Sequence, residues 1–200
     1  MSELYKNLSL EEFAERLGSA APTPGGGPAA ALTSALGASL VMMVANLTVG
    51  KAGYEEFEEL NRDILAEAET LKKRLLDGMD KDSEAFEKVM AAFRMPAGDE
   101  RKTAMFESSV EATRAPLAVM EDSLAALRLA LTMKGRSNRS VESDLDTAVN
   151  FLRAGIMSEN CNVKANLPVI KKTDVELASE LGGRAAYIIT KTGELTSGRF

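Results

Sequence analysis

An aspartate sits where the pattern of its helix asks for a hydrocarbon. From Tyr54 or Glu55 onward, apolar residues recur every three or four positions at Phe57, Leu60, Ile64, Ala68, Leu71, Leu75, Met79, Phe86, Met90 and Phe93. The step between Met79 and Phe86 falls on Asp82, whereas Asp80 and Glu84 fall off the line. Burial of such a carboxylate raises its pKa toward the range useful for moving a proton near neutrality. A structural carboxylate satisfied by a neighbouring helix, or a helix interrupted at Gly78, gives the same pattern. The chain contains no histidine. That excludes the usual general base, the usual zinc ligand and every Ser-His or Cys-His dyad, and leaves proton transfer to Asp, Glu, Lys, Tyr or solvent.

A second candidate is the stretch from Ala21 to Pro28. Pro22 and Pro24 hold the approach extended, Gly25, Gly26 and Gly27 free the backbone for close approach to a ligand, and Pro28 suits the first position of a helix. The bare N–H groups of such a start carry partial positive charge and can hold an anion or a developing oxyanion. No Lys-Ser/Thr pair follows the glycines and no strand precedes them, so this is neither a P-loop nor a dinucleotide turn. A plain interhelix turn accounts for the glycines equally well. Asp144 falls in the first turn of a later helix, where the dipole favours its ionised form. The stretch from Asn160 to Pro168, with Asn162 and Asn166, offers amide donors and acceptors to a heteroaromatic ligand or to nearby backbone.

These residues need helices to position them. A 200-residue chain rich in Ala, Leu, Glu and Lys predicts a single all-α domain over residues 1–200, a bundle of long antiparallel helices. Ser9 to Glu12 reads as a capping box, opening a short helix with Phe13 and Leu17 inward and Gly18 closing it. From Ala29 to Thr48 no side chain is charged. Its small residues suit the centre of a bundle or a dimer axis better than a membrane span. A third helix reaches about Lys134 with Pro116 as a kink, and a fourth, capped near Ser143 and Asp146, carries Leu145, Val149, Leu152 and Ile156. A last helix, capped from Thr173 to Glu176, turns Leu177, Leu181, Ala185 and Ile188 inward and frays from Gly193. The net charge of −6 argues against nucleic acid as partner, and the single cysteine, Cys161, fits a reducing cytoplasm. The start, Met1 to Leu4, has no signal-peptide pattern.

Five stretches in one order give this chain a likeness. They are Thr23 to Gly27 before the alanine-rich helix; Leu47, Thr48, Lys51 and Tyr54; Asp82, Ala85, Phe86, Val89 and Met90; Asn138, Ser143 and Asp144; and Asn162, Val163, Asn166 and Leu167. In these the chain resembles the cyclodeaminase/cyclohydrolase family of one-carbon folate enzymes. Pro28, Ser137 and Ser140 depart from the family pattern. The resemblance implies an all-α homodimer holding folate in a cleft near the subunit interface, with no cofactor beyond the tetrahydrofolate substrate and no metal. Asp82 is then the proton-transfer residue, with Asp144 and Asn138 in orientation or binding. The glycines, Tyr54 and Asn162 contribute to binding, and Lys51, Arg136 or Arg139 meets the anionic glutamyl tail. The implied activity is a formiminotetrahydrofolate cyclodeaminase that releases ammonia to give 5,10-methenyltetrahydrofolate. The alternatives are a methenyltetrahydrofolate cyclohydrolase giving 10-formyltetrahydrofolate, or a folate-binding helical dimer without catalysis.

Overall fold

Ser9 opens α1 (Leu10–Leu17) with the reciprocal box its spacing predicts: its hydroxyl accepts from the Glu12 N–H, and the Glu12 carboxylate accepts from the Ser9 N–H at 2.9 Å. The computed structural model describes residues 4–197, and within them the secondary structure is entirely helical. The longer helices are α2 (Gly26–Asn46), α3 (Glu58–Arg94), α4 (Asp99–Met133), α5 (Glu142–Lys171) and α6 (Val175–Thr196).

The uncharged α2 is the central helix, packed against α3 and α5 along its length and against α4. Small residues allow this. A Cβ on Gly155 of α5 would fall on the Ser34 hydroxyl of α2, and one on Gly37 would lie 2.7 Å from Leu152 Cγ. Ser123 of α4 donates to the Ser34 hydroxyl at 2.8 Å, so three helices meet at serine and glycine. With a mean hydropathy of 1.7, α2 is long and apolar enough to cross a membrane, yet eleven of its residues are buried by its neighbours. Its outer side carries Gly26, Ala29, Thr33, Leu36, Leu40, Met43 and Leu47 in alternating steps of three and four. Leu36, Met43 and Leu47 there are 44%, 36% and 46% exposed.

Several local expectations change. Pro28 is the third residue of α2, because Gly25 is the cap; proline fits the whole first turn, whose N–H groups have no intrahelical acceptor. Gly78 does not interrupt α3. A Cβ there would lie 2.7 Å from Val119 Cγ2, so its role is to let α4 approach. Pro116 lies inside the continuous α4, and the Ala112 carbonyl it leaves without a helical donor accepts from Asn166 Nδ2 at 2.9 Å. Leu17 is 37% exposed, because little packs over the outer end of α1. Ser143 caps nothing: α5 starts at Glu142 without a side-chain cap, and Asp146 pairs with Lys134 instead. The amide-rich stretch lies within α5, which runs through Pro168. The last helix persists to Thr196, since Thr192 and Thr196 are buried and return their hydroxyls to Ile188 O and Thr192 O; residues 198–200 lie outside the described residues.

Candidate active site

Asp82 of α3 lies against the start of α2. A Cβ on Gly27 would coincide with the Asp82 carboxyl group, so glycine at this position is what lets the carboxylate reach the helix start. The N–H groups of Gly26 and Gly27 have no intrahelical acceptor, while that of Ala29 bonds back to Gly25 O at 3.3 Å. Gly26 is open: its nearest neighbour to an added Cβ is Asn162 Oδ1 at 3.9 Å. The three glycines therefore differ, and Gly27 alone is closed by the Asp82 carboxyl.

Burial raises Asp82 from the ordinary carboxylate value to about 6. Behind it on α5 stands Glu159, which is fully buried. Its Oε2 accepts from Asn162 Nδ2 at 2.8 Å, and its Oε1 has no partner. Burial pushes Glu159 up to about 9, the Asn162 hydrogen bond pulls it part of the way back, and the Asp82 charge adds a further rise. Asp82 has ionised by the time Glu159 titrates, whereas Glu159 is still neutral while Asp82 titrates. Near neutral pH the pair thus holds one negative charge, on Asp82, and one proton, on Glu159.

The spacing that marks Asp82 also marks Glu159. Leu145, Val149, Leu152, Ile156, Glu159 and Val163 follow steps of four and three, with an acid at one of them. Reading the fourth helix only as far as Ile156 hid it.

Asp80, placed off the apolar line by spacing, is 8% exposed and more covered than Asp82. The segment before α1 is the cause. Tyr5 N–H donates to Asp80 Oδ1 at 2.6 Å, Lys6 pairs with Asp77 at 2.6 Å, and Tyr5 Oη donates to Thr23 Oγ1 at 3.1 Å. This strap ties α3 to the glycine turn. Beyond Asp82, an open cleft of about 400 Å³ is lined by Phe86, Met90, Pro22, Thr23, Glu87 and Arg94. Its aromatic and thioether walls suit a flat ring.

The remaining candidates lie at the other end of α2, about 30 Å away at 1.5 Å per residue. Asn138 spends its groups on the fold: its N–H donates to Thr48 Oγ1 at 2.9 Å, its Nδ2 to Leu47 O at 3.1 Å, and its Oδ1 accepts from Ser140 N–H. Tyr54 Oη accepts from Arg139 N–H at 2.9 Å. Lys51 is exposed, and Asp144 is half-buried in the first turn of α5. Within one chain the structure brings together Asp82, Gly26, Gly27 and Asn162, with Gly25 at the cap. It does not bring Lys51, Tyr54, Asn138 or Asp144 to them.

A family profile described as Formiminotransferase-cyclodeaminase matches residues 9–186. A methenyltetrahydrofolate cyclohydrolase from Methylorubrum extorquens is 40% identical over 165 residues, covering 80% of this chain and 79% of that protein. A formimidoyltransferase-cyclodeaminase from Dictyostelium discoideum is 31% identical over 96% of this chain, which spans only 37% of that longer protein. The crystal structure of a formiminotetrahydrofolate cyclodeaminase from Thermotoga maritima superposes with a TM-score of 0.79 at 28% identity, covering 96% of this chain and 98% of that one.

Proposed function

The chain belongs to the formiminotransferase-cyclodeaminase family, and from that premise we propose that it hydrolyses 5,10-methenyltetrahydrofolate to 10-formyltetrahydrofolate, with Asp82 as general base. The observation that carries the role of Asp82 is its carboxylate, pressed against Gly27 and held near 6 by burial, near a cleft that Phe86 and Met90 line together with Thr23, Glu87 and Arg94. The methenyl carbon between N5 and N10 is cationic. Asp82 takes a proton from the attacking water; the new hydroxyl then loses its proton to become the formyl C=O as the carbon–N5 bond breaks toward N5 and N5 takes up one proton, so the net reaction releases one proton. The negative charge of Asp82, set against the uncharged start of α2, favours that cation over neutral folates.

The cyclohydrolase is placed ahead of the cyclodeaminase, reversing the order read from the sequence. The cyclohydrolase relative is 40% identical over most of both chains, whereas the cyclodeaminase structure is 28% identical. The second reading stays supported by that structure: Asp82 would relay the proton that lets ammonia leave as N10 closes the ring. No cofactor beyond the folate is needed for either reaction, and the free Cys161 fits a cytoplasmic setting.

The working unit in this reading is a homodimer. The seam from Gly26 to Leu47 has the spacing of a helix that packs against another helix. A second copy laid antiparallel along it, with the two-fold axis near Leu36, places the Lys51 end of one copy beside the Gly26 end of the other. The partner's Lys51, Arg136 and Arg139 then face the Asp82 cleft, where they meet the glutamyl tail. Within each copy, the contacts Arg74 with Asp122 and Lys88 with Glu111 support antiparallel packing of α3 and α4.

Loss of methenyltetrahydrofolate and release of ammonia from the formimino substrate, assayed side by side on the purified protein, test the reading. Faster turnover of the methenyl compound is expected, and turnover of the formimino compound alone would replace it with the second reading.

A further inference from the structure

Two orphan groups lie at the Gly26 end of α2: the Asp82 carboxyl against Gly27, and Glu159 bonded to Asn162, whose Oδ1 is the nearest atom to a Cβ on Gly26. Asn162 Nδ2 occupies Glu159 Oε2, so a protonated Glu159 carries its hydrogen on Oε1, which is buried and has no acceptor. Asp82 is ionised above about pH 6, and burial alone sets its value, so no donor holds the anion. A sealed donor on α5 and an unserved acceptor on α3, two helices that both pack on α2, are each costly alone and complementary as a pair. Other charges are remote from this contact. The Asp82 carboxylate is the one charged group that acts on Glu159, α2 carries no charge from Gly26 to Asn46, and Glu111 and Arg114 of the neighbouring α4 are exposed.

We propose that Glu159 is a positioning residue for Asp82: it keeps its proton through turnover and gives its Oε1–H to the Asp82 carboxylate, directly or through one water. Asp82 is thereby held in one orientation as the anion, with its second oxygen left for the cleft. The proposal rests on Asp82 being the proton-transfer residue, but its first readout is independent of activity.

Carbon-13 NMR of protein labelled at aspartate carboxyls follows the Asp82 titration, assigned by the resonance lost in Asp82→Asn. Glu159→Met, of similar length but without a donor, moves the Asp82 titration up by about one unit. Glu159→Gln keeps an N–H donor and an acceptor for Asn162, and leaves the titration near its wild-type position. The kinetics follow: the Met variant loses at least about tenfold in kcat/KM with its acid limb displaced upward, and the Gln variant restores both. A downward shift in the Met variant means that Glu159 was ionised, and no shift means that it does not touch Asp82; either overturns the proposal. A Gln variant as inactive as Asp82→Asn also overturns it, since Glu159 then trades its own proton. Should Glu159→Met not fold, Asn162→Ala is read instead. Freeing Oε2 loosens the protonated oxygen, so a smaller upward shift is expected, and an unmoved Asp82 overturns the proposal. Wild-type protein that turns over no folate sinks the functional reading and leaves the NMR test standing.

Discussion

The two ends of α2 differ in what their polar groups are doing. At the Leu47 end, Thr48, Asn138 and Tyr54 exchange hydrogen bonds between loops, and their specificity is spent on holding the bundle closed. At the Gly26 end, Asp82, Glu159 Oε1 and the first N–H groups of the helix stand without partners. Groups left unsatisfied in this way cost stability, and a fold keeps them where a ligand completes them. Both ends carry residues of the family motifs, so likeness alone does not separate a staple from a site. Hydrogen-bond accounting on these motif residues does, although Asn61 Oδ1, beside Arg136 at the Leu47 end, is also buried without a partner.

The largest effects should come from exchanging a side chain at each end. Asp82→Asn is expected to lower kcat by about 10²- to 10⁴-fold with melting temperature nearly kept. Asn138→Ala is expected to cost on the order of 1–3 kcal/mol of stability while turnover per folded molecule survives. Denaturant titration beside steady-state kinetics reads both, and the comparison breaks if the two variants trade behaviours.

A smaller contrast lies inside the glycine turn. Gly27→Ala puts a methyl group on the Asp82 carboxyl and should cost at least about tenfold in kcat/KM, whereas Gly26→Ala has room and should be near neutral. Equal effects would mean that the carboxylate does not rest on Gly27 in solution. Along the seam, Leu36→Asp should shift the sedimentation equilibrium toward monomer. A parallel loss of folate affinity is expected there, because the Lys51 end of the partner leaves the cleft.

The smallest effect concerns stability against pH. The folded chain keeps a proton on Glu159 that the unfolded chain releases above its ordinary value of 4.5, so burying this group costs progressively more as pH rises from about 4.5 to about 9. Asp82 adds the same sign between its ordinary 3.8 and about 6. Glu159→Gln removes the larger contribution. Its melting temperature should gain on the wild type between pH 5 and pH 8 by on the order of 5 °C, read by calorimetry. A gain that shrinks with pH would contradict the protonated Glu159.

Much of this was legible in the residues. The capping box at Ser9, the apolar line of α3 and the small residues of α2 each follow from local rules that the fold obeys. Asp82 stood out for the same reason, as a polar residue at an apolar step. Glu159 obeyed that rule too, but the apolar line of its helix was followed only to Ile156, and the amide-rich stretch after it was read for its ligand chemistry. The helix continues through Pro168, and its Asn166 fills the carbonyl vacated by Pro116 on α4. The burial of Asp80 could not be read from α3 at all, since the cover comes from Tyr5, seventy-five positions away in sequence. Nor could spacing tell that Asn138 is consumed by the backbone at Leu47 and Thr48. Contacts between distant segments decide such cases, and no local pattern encodes them.

The central claim is that Asp82, half-buried against Gly27, moves the proton. Its most direct test is the pH profile of kcat/KM for methenyltetrahydrofolate hydrolysis, net of the uncatalysed reaction, in the wild type and in Asp82→Asn. The wild-type rate is expected to rise with pH through an acid limb near 6, and folded Asp82→Asn protein to be slower and to lack that limb. A folded Asp82→Asn dimer with the wild-type rate and the same limb would contradict it.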